Sequence, residues 1–449
     1  MIEDTSGSPV LARYRERCRA ALSVALDLTP MYESWRPRDP GPSIGIDERF
    51  AALPVLTKDD VRAHFPDGGM SRGTVAGVVP RGLDLEAARG RGEVSFVSTS
   101  GTADEAMQNI WNQRWWDASE RASWALNSVA ARVATGTHRE AILASALSVG
   151  PLSQGAPVER ARRMLGRFLF LNEYGRTEQW PPGHEQRILS ELAGYRPAVL
   201  EANPTLLARV SRWAARSGVE PWQPELITIT YEYPSELHLR AIRSVFGSPI
   251  ASSYGSTEAG YVFMECEHGM LHQNCETCRV DLLPLAGDPR GGVAPGELGR
   301  IAATTFGNEW FPLVRFEIGD VGRLAASPCP CGRTFGMTLG GVEGRLKSLC
   351  RAGDGTLVPH TRLDRALASV AGLEQYRVEQ DSPTHVRCAV IGQAGRGARA
   401  ANGAREVLAD IFGPRVRVEA EEVPELFAEK SGKFLLVHRL FPLEEAVNA

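Results

Sequence analysis

Short apolar runs that alternate with longer amphipathic stretches constrain the fold of this chain more than any other feature. The runs at residues 141–144, 198–200 and 226–229 have the length of buried strands. Stretches with helical periodicity lie between and around them, at residues 115–133, 205–217 and 236–246. Because parallel strands require crossover connections, this alternation predicts an α/β fold with a mainly parallel sheet.

The pattern changes toward the C-terminus. Beyond residue 291 the sequence becomes rich in glycine and in β-type alternation, which predicts a β-rich subdomain. Residues 340–344 (Gly-Gly-Val-Glu-Gly) are interpreted as a hinge, since successive glycines relax the backbone. We therefore predict a large N-terminal domain at residues 1–343 and a small, mobile α+β domain at residues 344–449. The small domain is predicted to contain paired strands and a helix, at residues 375–379, 386–390 and 398–412.

Charge and hydropathy exclude two classes of partner. The net charge of −4 provides no basic field for nucleic acid or for an anionic membrane surface. No stretch of about 18 apolar residues is present, so no membrane span is predicted. The N-terminal segment is acidic and polar rather than a secretory signal, and a cytoplasmic location is expected.

Two hydroxyl-rich loops follow apolar runs. Residues 98–102 (Ser-Thr-Ser-Gly-Thr) come directly after the run 94–97 and could cradle polyphosphate oxygens; a solvated turn is the alternative. Residues 253–258 (Ser-Tyr-Gly-Ser-Thr-Glu) combine an aromatic ring, hydroxyl groups and a carboxylate. The ring of Tyr254 could stack on a nucleobase and the carboxylate of Glu258 could hold Mg²⁺, whereas the alternative is an ordinary capped loop.

Two further segments place a charged group at the end of a run. Residues 311–320 end in Asp320, whose carboxylate could accept hydrogen bonds from ribose hydroxyls; a simple turn aspartate is the alternative. Residues 429–433 (Glu-Lys-Ser-Gly-Lys) combine Gly432, which permits a tight turn, with Lys433. A lysine ammonium delivered to a reacting phosphate or carboxylate would stabilise developing negative charge.

These four segments stand in the order and spacing of a known family. Together they resemble the adenylate-forming superfamily of acyl-CoA synthetases and adenylation domains. Within it the chain looks most like the phenylacetate–CoA ligases, because residues 53–62 (Leu-Pro-Val-Leu-Thr-Lys-Asp-Asp-Val-Arg) match the opening signature of that branch. Residues 344–347 (Gly-Arg-Leu-Lys) fall at the family's interdomain hinge motif. The resemblance covers essentially the whole chain.

The resemblance implies a two-step reaction that uses ATP and Mg²⁺. A carboxylic acid and ATP first form an acyl-AMP, and CoA then takes the acyl group. The small domain is expected to rotate about Lys347 between the steps, which would move Lys433 out of the site. The implied catalytic residues are Thr257, Glu258 and Lys433. The implied nucleotide-binding residues are Thr99, Ser100, Gly101, Thr102, Ser253, Tyr254, Gly255, Ser256, Asp320 and Arg345.

Three segments depart from the family pattern. Asp104 and Glu105 replace the flexible, often basic continuation of the phosphate loop, and carboxylates repel triphosphate. Either this chain binds ATP differently from the family, or its adenylating activity is reduced or absent. Residues 231–234 (Tyr-Glu-Tyr-Pro) stand where relatives have a glycine-containing loop on the adenine side, and they are expected to reshape the acyl or adenine pocket. Residues 316–320 lack the usual Tyr-Arg-Thr lead-in.

Clustered cysteines and histidines indicate a metal site. Two short Cys/His segments, at residues 266–278 and 329–333, fit a tetrahedral Zn²⁺ site. Many phenylacetate–CoA ligases carry comparable elements, which implies a structural zinc held by Cys266, His272, Cys329 and Cys331. The rival ligands are His268, Cys275 and Cys278, and free buried thiols are the alternative to a metal. Isolated histidines are expected at the surface or as caps, namely His138, His184, His360 and His438.

The leading hypothesis is an ATP-dependent acid–CoA ligase that acts on a small aromatic or arylacetic acid. The closest rival keeps the adenylation step but transfers the acyl group to a carrier protein or to an amine. A non-catalytic relative that binds nucleotide or a partner is the alternative from another class. Relatives of this type are often dimers, so a homodimer is one expected assembly.

Overall fold

A computed structural model describes residues 9–72, 84–98 and 107–442 of the 449-residue chain. The predicted phosphate-loop residues Thr99, Ser100, Gly101 and Thr102 lie outside these ranges, as do Asp104 and Glu105. The chain forms two compact units, and each is built from two separate segments. The first unit combines Met1–Gly136 with Ala251–Val342, and the second combines Thr137–Ile250 with Glu343–Ala449.

The secondary structure alternates as follows within the described ranges. The α-helices are α1 (Pro9–Leu28), α2 (Ile46–Ala52), α3 (Lys58–His64), α4 (Leu85–Gly90), α5 (Gln113–Trp124), α6 (Ser128–Val133), α7 (His184–Tyr195), α8 (Pro204–Ser217), α9 (Glu236–Arg243), α10 (His360–Ala368) and α11 (Gly397–Phe412). The strands are β1 (Val94–Ser98), β2 (Gln108–Asn112), β3 (Glu140–Leu143), β4 (Met164–Leu165), β5 (Phe168–Phe170), β6 (Val199–Ala202), β7 (Leu226–Ile229), β8 (Ile250–Ser256), β9 (Gly260–Glu265), β10 (Leu271–Gln273), β11 (Cys278–Pro284), β12 (Leu298–Thr305), β13 (Phe316–Leu324), β14 (Thr338–Arg345), β15 (Cys350–Arg351), β16 (Leu357–Val358), β17 (Leu373–Ser382), β18 (His385–Gly392), β19 (Arg417–Glu422) and β20 (Val437–Arg439). Short 3₁₀ turns lie at Pro30–Arg38, Asp67–Gly69, Arg160–Arg163, Thr177–Gln179 and Leu346–Ser348.

The first unit is built around antiparallel strands. Its strands lie side by side in the order β11-β12-β13-β14-β10-β9-β8, and β1 pairs with β2 in a separate ribbon. Side chains from the N-terminal helices and from the sheet share one apolar core. The largest of its fully buried side chains are aromatic and include Tyr32, Phe50, Phe263, Phe311 and Phe316. The sheet explains the β-type alternation of the sequence beyond residue 291.

The second unit contains the predicted parallel sheet. Strand β3 pairs in parallel with β5 and β6, and β6 pairs in parallel with β7. Helix α8 begins at Pro204 because the side chain of Asn203 accepts from the backbone N–H of Leu206 at 3.1 Å. It ends before Gly218, which adopts a left-handed conformation (φ +66°) that glycine tolerates best. The predicted α/β alternation is therefore confirmed.

A second sheet lies in the C-terminal part of the same unit. Strands β17 and β18 are antiparallel, while β19 and β20 pair in parallel on either side of them. Helices α10 and α11 supply apolar side chains to a core that includes Tyr376, Val378 and Phe412. The predicted paired strands and helix are thus present, and the domain boundary between residues 343 and 344 stays a prediction.

One local expectation differs from the structure. The stretch 115–133 forms two helices rather than one, because the side chain of Asn127 accepts from the N–H groups of Val129 and Ala130 and starts α6. The glycine-rich residues 340–344 belong to strand β14, and their role as a hinge stays a prediction. In the described part of the chain, no helix combines the length and the apolar character required to cross a membrane.

Candidate active site and cysteine–histidine cluster

A hairpin in the first unit carries the predicted Tyr-Gly-Ser-Thr-Glu loop. Strands β8 and β9 pair antiparallel, with an irregular register between Tyr254 and Gly255, and residues 257–259, which include Thr257 and Glu258, form the turn between them. A Cβ atom on Gly255 would lie 2.4 Å from a backbone oxygen of Gly260, which explains glycine at this position. The side chain of Glu258 is buried, and the backbone N–H of Ala259 donates to the Ser256 hydroxyl at 3.1 Å.

The tertiary structure brings two of the predicted motifs together in this unit. The hydroxyl of Tyr254 donates to Oδ2 of Asp320 at 2.8 Å, although the two residues are 66 positions apart. Asp320 lies in the middle of β13, directly after Gly319 (φ +96°). Ser253 is buried, and its hydroxyl has no hydrogen-bond partner within the described ranges. Tyr254 and Glu258 therefore lie on one hairpin, and a hydrogen bond joins Asp320 to it. The three residues are gathered rather than scattered.

The predicted lysine motif lies in the second unit as a tight turn. The backbone N–H of Glu429 donates to the carbonyl of Lys433 at 2.7 Å, and that of Gly432 donates back to Glu429 at 2.8 Å. Gly432 has a φ of +78°, and a Cβ atom there would lie 2.3 Å from the hydroxyl oxygen of Ser145. Only glycine permits this close approach, so the turn is pressed against the loop that follows β3.

Glu232 anchors this turn, and sequence reasoning did not identify it. Its Oε1 accepts from the backbone N–H of Phe434 at 2.8 Å, and its Oε2 accepts from the Thr205 hydroxyl at 2.8 Å. Burial raises the pKa of Glu232, while hydrogen bonds, including one from Asn203, and the charge of Lys433 act in the opposite direction. The effect of residues 231–234 on the acyl or adenine pocket stays a prediction, and the structure adds that Glu232 is bound to the segment that carries Lys433.

A second buried carboxylate joins the C-terminal segment to the loop after β7. Oδ2 of Asp364 accepts from the backbone N–H of Glu236 at 2.8 Å, and Oδ1 accepts from the Tyr376 hydroxyl at 2.7 Å. The ring of His360 lies against that of Tyr233, with centroids 4.1 Å apart. Burial raises the pKa of Asp364 to about 6. This network holds α10 against the N-terminus of α9.

The predicted hinge residues also belong to the second unit. Arg345 is the last residue of β14, and Lys347 is an exposed residue of the following 3₁₀ turn. Gly344, immediately before them, adopts a φ of +83°. A change of backbone direction at this point is therefore easy to accommodate.

The four residues predicted to hold zinc come together in the first unit. One candidate ligand atom from each lies within 4.8 Å of those of all the others. The sulfurs of Cys266 and Cys329 are 3.6 Å apart, and the Cys331 sulfur lies 3.2 Å from Nε2 of His272. The segment from β9 to β10 supplies Cys266 and His272, and the loop between β13 and β14 supplies the other two.

Two sulfur atoms of this cluster have displaced pKa values. Burial raises the pKa of Cys329 to about 11. Burial also acts to raise the pKa of Cys331, but N–H donors of Arg333 and neighbouring thiols outweigh it and the pKa is lowered. Burial and the charge of Arg333 lower the pKa of His272, which favours the neutral, ligand form of the imidazole.

The rival ligands are placed elsewhere. Cys275 and Cys278 are buried in the apolar core of the first unit together with Cys18, and burial raises the pKa of Cys278 well above the ordinary thiol value. His268 is not part of the four-residue group among the described residues. The prediction that isolated histidines lie at the surface or cap helices is wrong for His138, His184 and His360, which are all buried. Aromatic rings pack against His184 and His360, and Nε2 of His138 lies 3.0 Å from a carboxylate oxygen of Glu140.

Comparisons with known proteins agree with this geometry. No family model matches the chain. The phenylacetate-coenzyme A ligase of Thermus thermophilus is 24% identical over 342 residues, which is 74% of this chain and 70% of that protein. A 2-hydroxyisobutyryl-CoA ligase in complex with 2-HIB-AMP has a similar structure, with a TM-score of 0.68, 18% identity and coverage of 96% of this chain and 88% of the other.

A second similar structure belongs to a protein with a different activity. The amide bond synthetase McbA from Marinactinospora thermotolerans gives a TM-score of 0.52 at 14% identity, and the match covers 94% of this chain and 92% of that chain. The resemblance inferred from the motifs is thus confirmed: the chain has the fold of the adenylate-forming acid–CoA ligases and is similar in sequence to a phenylacetate-coenzyme A ligase.

Proposed function

We propose that this chain is an AMP-forming acid–CoA ligase that activates a small, aromatic carboxylic acid as its acyl-AMP and then transfers the acyl group to CoA. The observation that carries the proposal is the hydrogen bond between Tyr254 and Asp320. It joins two motifs that were assigned independently to the adenine and to the ribose of one nucleotide. The similarity to a phenylacetate-coenzyme A ligase supports both the reaction and the aryl class of acid.

Residues of the first unit are assigned to the nucleotide. The carboxylate of Asp320 accepts from ribose hydroxyls, and the ring of Tyr254 lies along the base, oriented by its bond to Asp320. Thr257 and Glu258 offer a hydroxyl and a buried carboxylate on one turn. Oxygen donors of this kind fit Mg²⁺, which when bound neutralises phosphate charge. Residues 99–102 keep their predicted role as the phosphate loop.

Lys433 is assigned to the first half-reaction. Its ammonium would stabilise the charge that develops as the carboxylate attacks the α-phosphorus of ATP and pyrophosphate leaves. The tight turn at residues 429–433 and the anchor at Glu232 restrict where this ammonium can lie. Rotation of residues 344–449 about Lys347 would then remove Lys433 before CoA enters, so that one site serves two transition states.

Zinc is assigned a structural role. Three cysteine sulfurs and one imidazole nitrogen within 4.8 Å of one another form the donor set that tetrahedral zinc prefers. All four positions would be protein ligands, which leaves no open coordination site for catalysis. The ion would tie the β9–β10 segment to the loop between β13 and β14.

A second candidate acceptor is an amine. The similar fold of the amide bond synthetase McbA supports this alternative, and a carrier protein is the third candidate acceptor. Transfer to CoA, to an amine or to a carrier protein would each follow the same adenylation step. The acceptor must therefore be determined separately.

The decisive experiment is acid-dependent exchange of pyrophosphate into ATP, measured with a panel of aryl and arylacetic acids. We expect exchange with at least one acid and, in a second assay, acyl-CoA formation when CoA is supplied. Product formation only with an amine would establish the second candidate. A protein that is silent with a broad acid panel would overturn the proposal and favour the non-catalytic relative suggested by Asp104 and Glu105.

A further inference from the structure

The second unit contains a cavity that the proposed reaction does not use. Its volume is about 310 Å³, which suits a small ligand. Residues of α8 form one wall, and the other walls include Tyr174, Trp180, Glu374 and Leu426. Both chain segments of the unit therefore contribute to the cavity.

Helix α8 directs a row of arginines toward this cavity. Arg209, Arg212 and Arg216 follow one another at spacings of three and four residues, which places them on one face of a helix. Arg209 pairs with Glu185 at 3.0 Å, and Arg216 lies 3.9 Å from Glu374. The first and last members of the row therefore have partners.

Arg212, the middle member, differs from these two. Its guanidinium makes no hydrogen bond or ion pair with any described residue, and its Nη1 atom is buried. Burial lowers the pKa of Arg212 to about 10. The Nε1 atom of Trp180, which lines the same cavity, is also buried and lacks an acceptor within the described part of the chain. Buried donors without acceptors destabilise a fold, so this pair is expected to have a function.

No described glutamate around the cavity forms an ion pair with Arg212, although the charge of Glu374 acts on it and partly offsets the effect of burial on its pKa. Glu185 and Glu374 are engaged by the other two arginines, and Glu425 lies 3.8 Å from Arg209. Glu232 is held by Phe434 and Thr205. The buried part of the wall therefore contains a guanidinium without a hydrogen-bonded counter-ion among the described residues.

We propose that this cavity binds a small anion carrying phosphate or carboxylate oxygens, with Arg212 as its charged contact and Trp180 as a second donor. A guanidinium binds such oxygens through two parallel N–H donors, and the aromatic rings of Tyr174 and Trp213 can cover an apolar body. Gly432 and Phe434 also line the cavity, so a bound anion would favour the position of the turn that carries Lys433. Only this consequence depends on the proposed function.

Isothermal titration calorimetry of the full chain without ATP tests the site. The probes are inorganic phosphate and benzoate, each compared with sodium chloride at matched ionic strength. We expect one of the two anions to bind the wild type, and Arg212→Gln to weaken that binding at least about tenfold, as expected for a charged contact. Arg243→Gln is the matched control, because Arg243 is an exposed arginine in the last turn of α9 and does not line the cavity.

The stability of the variant separates binding from folding. Arg212→Gln removes an unpaired charge, so its melting temperature in anion-free buffer should equal or exceed that of the wild type. Binding of neither anion, or equal binding by the wild type and Arg212→Gln, would overturn the inference and leave water as the occupant. Because the titration contains no ATP and the comparison with Arg212→Gln reports on this cavity alone, its result is independent of whether pyrophosphate exchange succeeds.

Discussion

Oε1 of Glu232 accepts a hydrogen bond from the backbone N–H of Phe434 at 2.8 Å, across 202 residues of sequence. Lys433 is the neighbour of Phe434, and its charge acts on the same carboxylate. The position of the predicted catalytic lysine is thus controlled by a residue of the Tyr-Glu-Tyr-Pro segment. We infer that Glu232 is a positioning residue for the first half-reaction.

Glu232→Gln should retain an acceptor for Phe434 but lose the charge that attracts Lys433. We expect kcat for pyrophosphate exchange to fall about tenfold, with little change in the KM for ATP, since misplacement of one charged group costs about 1.4 kcal/mol or more. Glu225→Gln, at an exposed site before β7, is the control and should behave as wild type. An unchanged kcat in Glu232→Gln would show that the contact serves folding alone.

Lys433→Ala should abolish formation of the acyl-AMP, by about 10² or more, because the transition state loses its cationic partner. Thioester formation from supplied acyl-AMP and CoA should survive. The control is Lys430→Ala, which removes an exposed lysine from the same turn. Equal loss of both half-reactions would refute the role assigned to Lys433.

Tyr254→Phe removes the hydroxyl that donates to Asp320 and leaves the ring in place. A hydrogen bond to a charged group contributes about 1.5 to 3 kcal/mol, so we expect ATP to bind about tenfold or more weakly in a direct titration. Tyr261→Phe is a matched control on β9, since its hydroxyl donates to Glu120 at 3.3 Å. ATP affinity equal to that of the wild type would argue against the nucleotide assignment.

Metal analysis of purified protein should find about one zinc per chain, as a closed four-ligand site requires. Cys329→Ser should lose the zinc and lower the melting temperature, because an ion that binds only the folded state stabilises it. Cys278→Ser alters a buried thiol outside the group and should keep the zinc. If Cys278→Ser rather than Cys329→Ser lost the metal, the ligand set would be wrong.

Stability should fall in acid because three buried histidines are neutral in the folded state. Burial lowers the pKa values of His184, His238 and His360 to about 3, below the ordinary value of 6.5. The unfolded chain therefore binds more protons between pH 6.5 and 3, so stability is lost as the pH falls through this window. Asp364, with a raised pKa of about 6, opposes the trend, since its protonation between pH 6 and 4 favours the folded state.

His238→Leu isolates one of these histidines, whose two ring nitrogens have no partner among the described residues. Because of this histidine, the free energy of unfolding of the wild type should be about 2 kcal/mol lower at pH 5 than at pH 7.5. His238→Leu should not show this part of the loss. Chemical denaturation at both pH values measures the difference. The exposed His64→Leu is the control, and a pH-independent effect of His238→Leu would contradict the assignment.

Several features of this protein follow from the sequence by itself. The apolar runs at residues 141–144, 198–200 and 226–229 correspond to β3, β6 and β7, because strand length and burial leave a local pattern. Gly432 and Lys433 form the expected tight turn, since glycine tolerates the backbone conformation required. The fold class and its resemblance to acid–CoA ligases were accessible for the same reason.

Other features were decided only by the tertiary structure. The pairing of Tyr254 with Asp320 and of Glu232 with Phe434 depends on contacts between distant segments. The separation of Cys278 from the four-residue metal group is equally invisible in the spacing of cysteines. Whether a polar side chain is buried, paired or left without a partner, as with Arg212, depends on which elements pack over it. Local sequence determines the conformation of an element, whereas the surroundings of each side chain depend on the whole folded unit.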